Sequence, residues 1–153
     1  MCPDAKDVEV VAEDFDEFKD SDQSGGILKD FDILVDGESL IGGSRPEFFD
    51  MFTAHVLFRL DLLTEQDIVE AEFYEHPPDK IKIRSVESNV LEVEALSFRD
   101  ESSLNPEFEG GVLIDKDDLE QEFLSLAETI SEEVYRPGTE SKEQIDSAID
   151  KLK

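Results

Sequence analysis

The reading turns on residues 68–98: Ile68-Val-Glu-Ala-Glu-Phe-Tyr74, later Ile81-Lys-Ile-Arg-Ser-Val86, then Val90-Leu-Glu-Val-Glu-Ala-Leu-Ser-Phe98. In each run apolar residues alternate with charged ones, which is the pattern of a strand with one face buried. The first run is closed by His76-Pro77-Pro78, the second by Ser88-Asn89 and the third by a polar loop through Pro106. Connections this short predict an antiparallel meander.

Working outward toward the N-terminus, Phe31-Asp32-Ile33-Leu34-Val35 alternates again, and Glu38-Ser39-Leu40-Ile41 returns after Asp36-Gly37. Asp-Gly tolerates the positive φ of a type I′ turn, so this is a hairpin. Gly42-Gly43-Ser44 breaks the pattern, and Ser44 with Pro46 marks a helix start. Phe48, Phe49, Phe52, Val56, Leu60 and Leu63 then recur at helical steps. A rival reading makes 55–62 a strand, because Val56, Phe58, Leu60 and Leu62 also alternate; the helix is preferred.

Toward the C-terminus, Gly110-Gly111 precedes a brief Val112-Leu113-Ile114 segment. Asp115 and Asp118 offer carboxylates to the free amides of a helix start. Leu119, Phe123, Leu126, Ile130 and Val134 continue that helix until Pro137-Gly138 stops it. Ser141 and Gln144 form a capping-box pattern, and Ile145, Ala148, Ile149 and Leu152 give the following helix a narrow apolar edge. The expected fold class is α+β: a mostly antiparallel sheet of four to six strands, with helices over 46–62 and 116–135 packed on one face. Residues 1–26 read as an acidic N-terminal arm, 27–137 as a single core domain, and 138–153 as a short C-terminal amphipathic helix. Within the arm, Val8, Val10 and Val11, followed by Phe15 and Phe18, allow a short strand or a single helical turn that docks, or equally a pure linker.

Charge bounds the function. Among 153 residues, 41 acids face 14 bases, a formal net charge of −27. The acids recur along the whole chain, so nucleic acid and anionic membranes are repelled, and no Lys/Arg cluster is present to bind phosphate. No run approaches the roughly 20 apolar residues of a membrane span, and the first residues carry no secretory pattern, so the expected location is cytoplasmic. The single cysteine, Cys2, rules out an internal disulfide framework.

Motifs for chemistry are sparse. Asp20, Asp22 and Ser24, followed by Gly25 and Ile27, follow the start of an EF-hand calcium loop. The twelfth position, where a bidentate Glu belongs, is Phe31. These three residues are a weak calcium candidate, and no other cofactor is expected. His55 and His76 are the only imidazoles, too few for a zinc set; His55 reads as a boundary residue and His76 as a loop residue. No nucleophile elbow, phosphate loop or dinucleotide fingerprint appears, so no catalytic residue is assigned and the chain is expected not to be an enzyme. Arg45, Arg59, Arg84, Arg99 and Arg136 read as counter-ions to neighbouring acids, with anion binding as the sharper alternative.

Two accounts of the acidity compete. Adaptation to a high-salt cytoplasm predicts acids over the whole surface, whereas a basic partner predicts acids gathered on one face. The leading expectation is a non-catalytic acidic binding protein, a small intracellular inhibitor of immunity or antitoxin type that meets a basic protein partner. The alternatives are a salt-adapted accessory protein of a halophile and a calcium-responsive module. A homo-oligomer through the C-terminal helix is a further expectation.

Overall fold

A computed structural model describes residues 5–12, 28–75, 78–134, 138 and 140–152. The first sheet comprises β1 (Val8–Ala12), β2 (Leu28–Val35), β3 (Glu38–Ser39) and β4 (Arg45–Phe48). β2 is central. β1 lies along one of its edges, while β3 and β4 share the other, β3 pairing Val35 with Glu38 and β4 pairing Phe31 with Arg45. The hairpin turn is as expected, with Asp36 and Gly37 both at positive φ (50° and 83°).

β4 runs directly into α1 (Phe49–Leu62). Residues 55–62 are therefore helical, but the helix starts later than Ser44 and Pro46 suggest. Residues 45–48 are held extended by pairing with β2, and Pro46 sits there with its side chain exposed. The second sheet follows as a meander of β5 (Ile68–Glu72), β6 (Lys80–Glu87), β7 (Val90–Leu96) and β8 (Val112–Asp115), in that spatial order. A short 3₁₀ turn at Pro106–Phe108 interrupts the β7–β8 connection. α2 (Lys116–Thr129) begins where Asp115 accepts a hydrogen bond from the Asp118 amide at 3.2 Å, and it ends in a π turn at Ile130–Val134. α3 is Glu140–Leu152.

The protein is thus α+β with every strand pairing antiparallel, and its strands divide into two sheets of four. The inward faces, Phe31, Ile33 and Val35 on one sheet and Ile81, Ile83 and Val93 on the other, meet over α1 and α2. Phe52 is the hub, with its ring 5.5 Å from Phe31, 4.8 Å from Phe73 and 6.3 Å from Phe123. Val8 and Val10 of β1 belong to this core, and so do Ile145, Ala148 and Ile149 of α3. The apolar edge of α3 is therefore covered by its own chain, chiefly by α1.

Candidate functional site

Alternation along β6 turns Lys80, Lys82 and Arg84 to the solvent face of the second sheet, with Ile81 and Ile83 inward. The register sets Lys82 between Glu70 on β5 and Glu94 on β7, and Arg84 between Ile68 and Glu92. Lys80 pairs with Glu70 and Glu101, each at 2.9 Å, and Arg84 with Glu92 at 2.9 Å. These hydrogen-bonded pairs raise the pKa of Lys80 and of Arg84 and lower that of Glu101. Acid, base and acid thus alternate across the strands, and Glu70, Glu92 and Glu101 each have a cationic partner on this face.

The first sheet is different. Its solvent face carries Glu9 and Val11 on β1 and Asp30, Asp32 and Leu34 on β2, between the inward Val10, Phe31 and Ile33. Two grooves meet at Leu34. One, of 490 Å³, is walled by Asp7, Glu9, Asp36 and Glu122; the other, of 250 Å³, by Val11, Asp30 and Asp32. Among the described residues, counter-charge comes from Lys6, 3.8 Å from Asp36 in a pair where both side chains are about half exposed, a contact of little energetic weight. The α2 terminus adds Asp117 and Asp118 beside Asp7. The Asp118 pKa is raised by slight desolvation and then by Asp115, Asp7 and Asp117. At the rim, Glu38 is raised by a carboxyl–carboxyl hydrogen bond with Glu107 and by their mutual repulsion.

A buried polar seam joins the sheets. Arg45 binds Asp79 at 2.7 Å and lies 4.3 Å from the centre of the Phe73 ring, while Asp79 also accepts the Phe98 amide at 2.7 Å. Glu47 has no exposed surface. Its carboxylate accepts the amides of Phe48, Tyr74 and Glu75 at 2.7–2.8 Å, clasping β4 to the turn after β5. Burial nevertheless raises its pKa, against the opposing pull of those amides and of Arg45. Its neighbour across the ladder, Lys29, is also buried.

Beside this seam, a 440 Å³ cleft separates α1 from β5, lined by His55, Arg59, Gln66, Ile68, Glu70 and Glu72 among others. His55 is half-buried, as a boundary residue should be, and stands 5.8 Å from the Tyr74 ring. Its pKa is lowered, first by burial and then by Arg59. Arg45 and Arg84 are the counter-ions the sequence suggested; the Arg59 Nε is buried and, among the described residues, meets no hydrogen-bond acceptor.

The calcium-loop residues Asp20, Asp22 and Ser24 lie outside the described residues, as do Cys2, His76 and Arg136. Among the described residues, no three of His, Cys, Asp and Glu converge on a metal position, and no helix is long and apolar enough to cross a membrane. Sequence reasoning missed the Glu47 clasp, the α1–β5 cleft and the division of charge between the sheets. Only the Lys-x-Lys-x-Arg spacing at 80–84 signalled the last.

Fold and surface together define an α+β protein of two antiparallel sheets, one whose outer face interleaves bases with its acids and the other whose outer face is acidic. No protein-family model matches the chain, and neither a curated protein nor a solved structure does.

Proposed function

We propose that this chain is a non-catalytic acidic binding protein, a small cytoplasmic inhibitor of immunity or antitoxin type, whose first-sheet face covers a basic protein partner. The observation that supports this reading is the partition of charge. Around Leu34, Asp7, Glu9, Asp30, Asp32, Asp36 and Glu122 gather with, among the described residues, Lys6 as counter-charge, whereas the second sheet sets Lys80 and Arg84 against its own acids. Acids required only by the solvent have no reason to sort by face. A concentrated field speeds encounter with a cationic protein, and Leu34 and the exposed Val11 supply an apolar floor for the docked state.

The experiment compares two triple substitutions of equal charge change, measured by association rate with a small cationic test protein. Glu9→Gln, Asp30→Asn and Asp117→Asn remove charge from the acidic face; Glu65→Gln, Glu87→Gln and Glu109→Gln remove it elsewhere. The first set should slow association about tenfold at low salt and flatten its salt dependence, and the second should do much less. Equal effects from both sets would mean that net charge alone matters, and would overturn the reading. Unfolding at about 0.1 M salt tests the solvent explanation separately, since a chain adapted to molar salt should not hold its fold there.

A further inference from the structure

Strand edges expose unpaired amides and carbonyls, and folded proteins commonly cover them. Here β1 is covered by α2, whose Glu122 accepts the Val10 amide at 2.8 Å. β8 is covered by Lys6, which bridges to Ile114 and donates its amide to the Leu113 carbonyl at 2.8 Å. β5 is the other end of the second sheet. Ser85 donates to the Asp67 carbonyl and Phe73 to the Asp79 carbonyl, each at 2.8 Å, with Val69 paired to Ile83 and Ala71 to Ile81 between them. Antiparallel alternation therefore turns residues 67, 69, 71 and 73 toward β6, and the amides and carbonyls of Ile68, Glu70 and Glu72 toward the free edge. Among the described residues nothing pairs with that edge, and it borders the 440 Å³ cleft against α1.

We infer that the free edge of β5 is a strand-addition site for an extended basic segment of a partner protein. The main chain of Ile68, Glu70 and Glu72 supplies three donors and three acceptors, and the neighbouring side chains specify the guest. On the solvent face the rows already run from Glu70 to Lys82 to Glu94. A guest with Lys or Arg beside Glu70 and Glu72 extends this alternation by one strand, and an apolar residue beside Ile68 covers a side chain that is 45% exposed. Its intervening residues face the cleft lined by His55 and Arg59. A second copy of this chain is the wrong guest, because pairing β5 about Glu70 sets Glu70 against Glu70 between molecules that each carry −27. This site lies on the second sheet and does not rest on the acidic-face reading.

The test uses the full chain and a short capped peptide of alternating Lys and Val, with a Glu-for-Lys peptide as comparison. Amide exchange followed by NMR should slow about tenfold or more at Ile68, Glu70 and Glu72 with the Lys peptide, and stay unchanged with the Glu peptide. Glu70→Pro removes an outward amide while leaving the bonds to β6, a substitution that edge strands tolerate, and should weaken peptide binding about tenfold or more. Wild-type affinity in folded Glu70→Pro overturns the inference. So does protection confined to residues near Leu34, or no binding at all. If Glu70→Pro does not fold, the wild-type exchange map decides by itself, and a failure of the acidic-face substitutions leaves that map unaffected.

Discussion

Replacing Glu47 should both weaken the fold and change how its stability depends on pH. In Glu47→Ala three amide donors lose their acceptor, those of Phe48, Tyr74 and Glu75. An unsatisfied buried donor costs about 1–3 kcal/mol. Phe48 and Glu75 are partly buried and Tyr74 is exposed, so water can reach some of the three, and the loss should settle near 3–5 kcal/mol, a large share of a small domain's stability. Glu47→Gln keeps Oε1, which serves Phe48 and Glu75, but presents an NH₂ group to the Tyr74 amide in place of Oε2; about 1–2 kcal/mol should go. The pH dependence follows from burial. Because the folded-state pKa of Glu47 is raised above the 4.5 of an unfolded chain, the folded state holds its proton more tightly. The stability this provides is fully present below about pH 4.5 and is lost as pH rises through the folded value. Glu47→Gln cannot titrate, so the gap between wild type and variant should narrow from pH 4.5 toward 7 in urea unfolding. A gap that widens over this range would show that the three amides and Arg45 outweigh desolvation, and would refute the argument.

Three further outcomes are expected. Gly42→Ala should cost about 2 kcal/mol or more, since φ is +80° and the new Cβ would lie 2.6 Å from the Leu104 carbonyl oxygen; Gly37→Ala, at φ +83° with open space around it, should cost about 1 kcal/mol, and denaturant midpoints compare the two. Glu122→Ala uncovers the Val10 amide, and should lower stability by about 1–2 kcal/mol while amide exchange at Val10 accelerates. His55 should titrate below 6.5 by NMR, because burial and Arg59 disfavour its charged form; stability it provides is present above 6.5 and lost as pH falls from there through the lower folded value, and a midpoint at or above 6.5 would contradict the burial.

Much of the fold is legible locally. The Asp36-Gly37 turn, the meander from Ile68 to Leu96 and the four-residue steps from Leu119 to Ile130 each encode one element through its own period or turn chemistry. Strand order is not local information. Ser44 and Pro46 carry helix-start chemistry, yet pairing with Leu28–Phe31 keeps Arg45–Phe48 extended, and Glu47 then finds its partners almost thirty residues away. The surface follows the same rule. Along the chain the acids look evenly spread, and only registration of β5, β6 and β7 shows that Glu70 and Glu92 lie against Lys80 and Arg84, whereas among the described residues Glu9 and Asp30 have no such ion pair. The α1–β5 cleft was illegible because neither the edge position of β5 nor the missing acceptor at Arg59 Nε can be read from spacing.

The acidity and the free edge of β5 bear on one another. An uncovered strand of Ile68-Val69-Glu70-Ala71-Glu72 would ordinarily invite pairing between copies. Here each encounter between copies brings −27 against −27, and pairing about Glu70 would set that glutamate directly against its own copy. Self-association is therefore opposed by the same charge that attracts a cationic chain, so the edge can stay open to a foreign strand without being closed by its own kind. Salt should separate the two effects: raising ionic strength weakens capture of a lysine-rich strand and, at the same time, lifts the repulsion between copies. Self-association that falls as salt is added would mean that β5 edges are not held apart by charge.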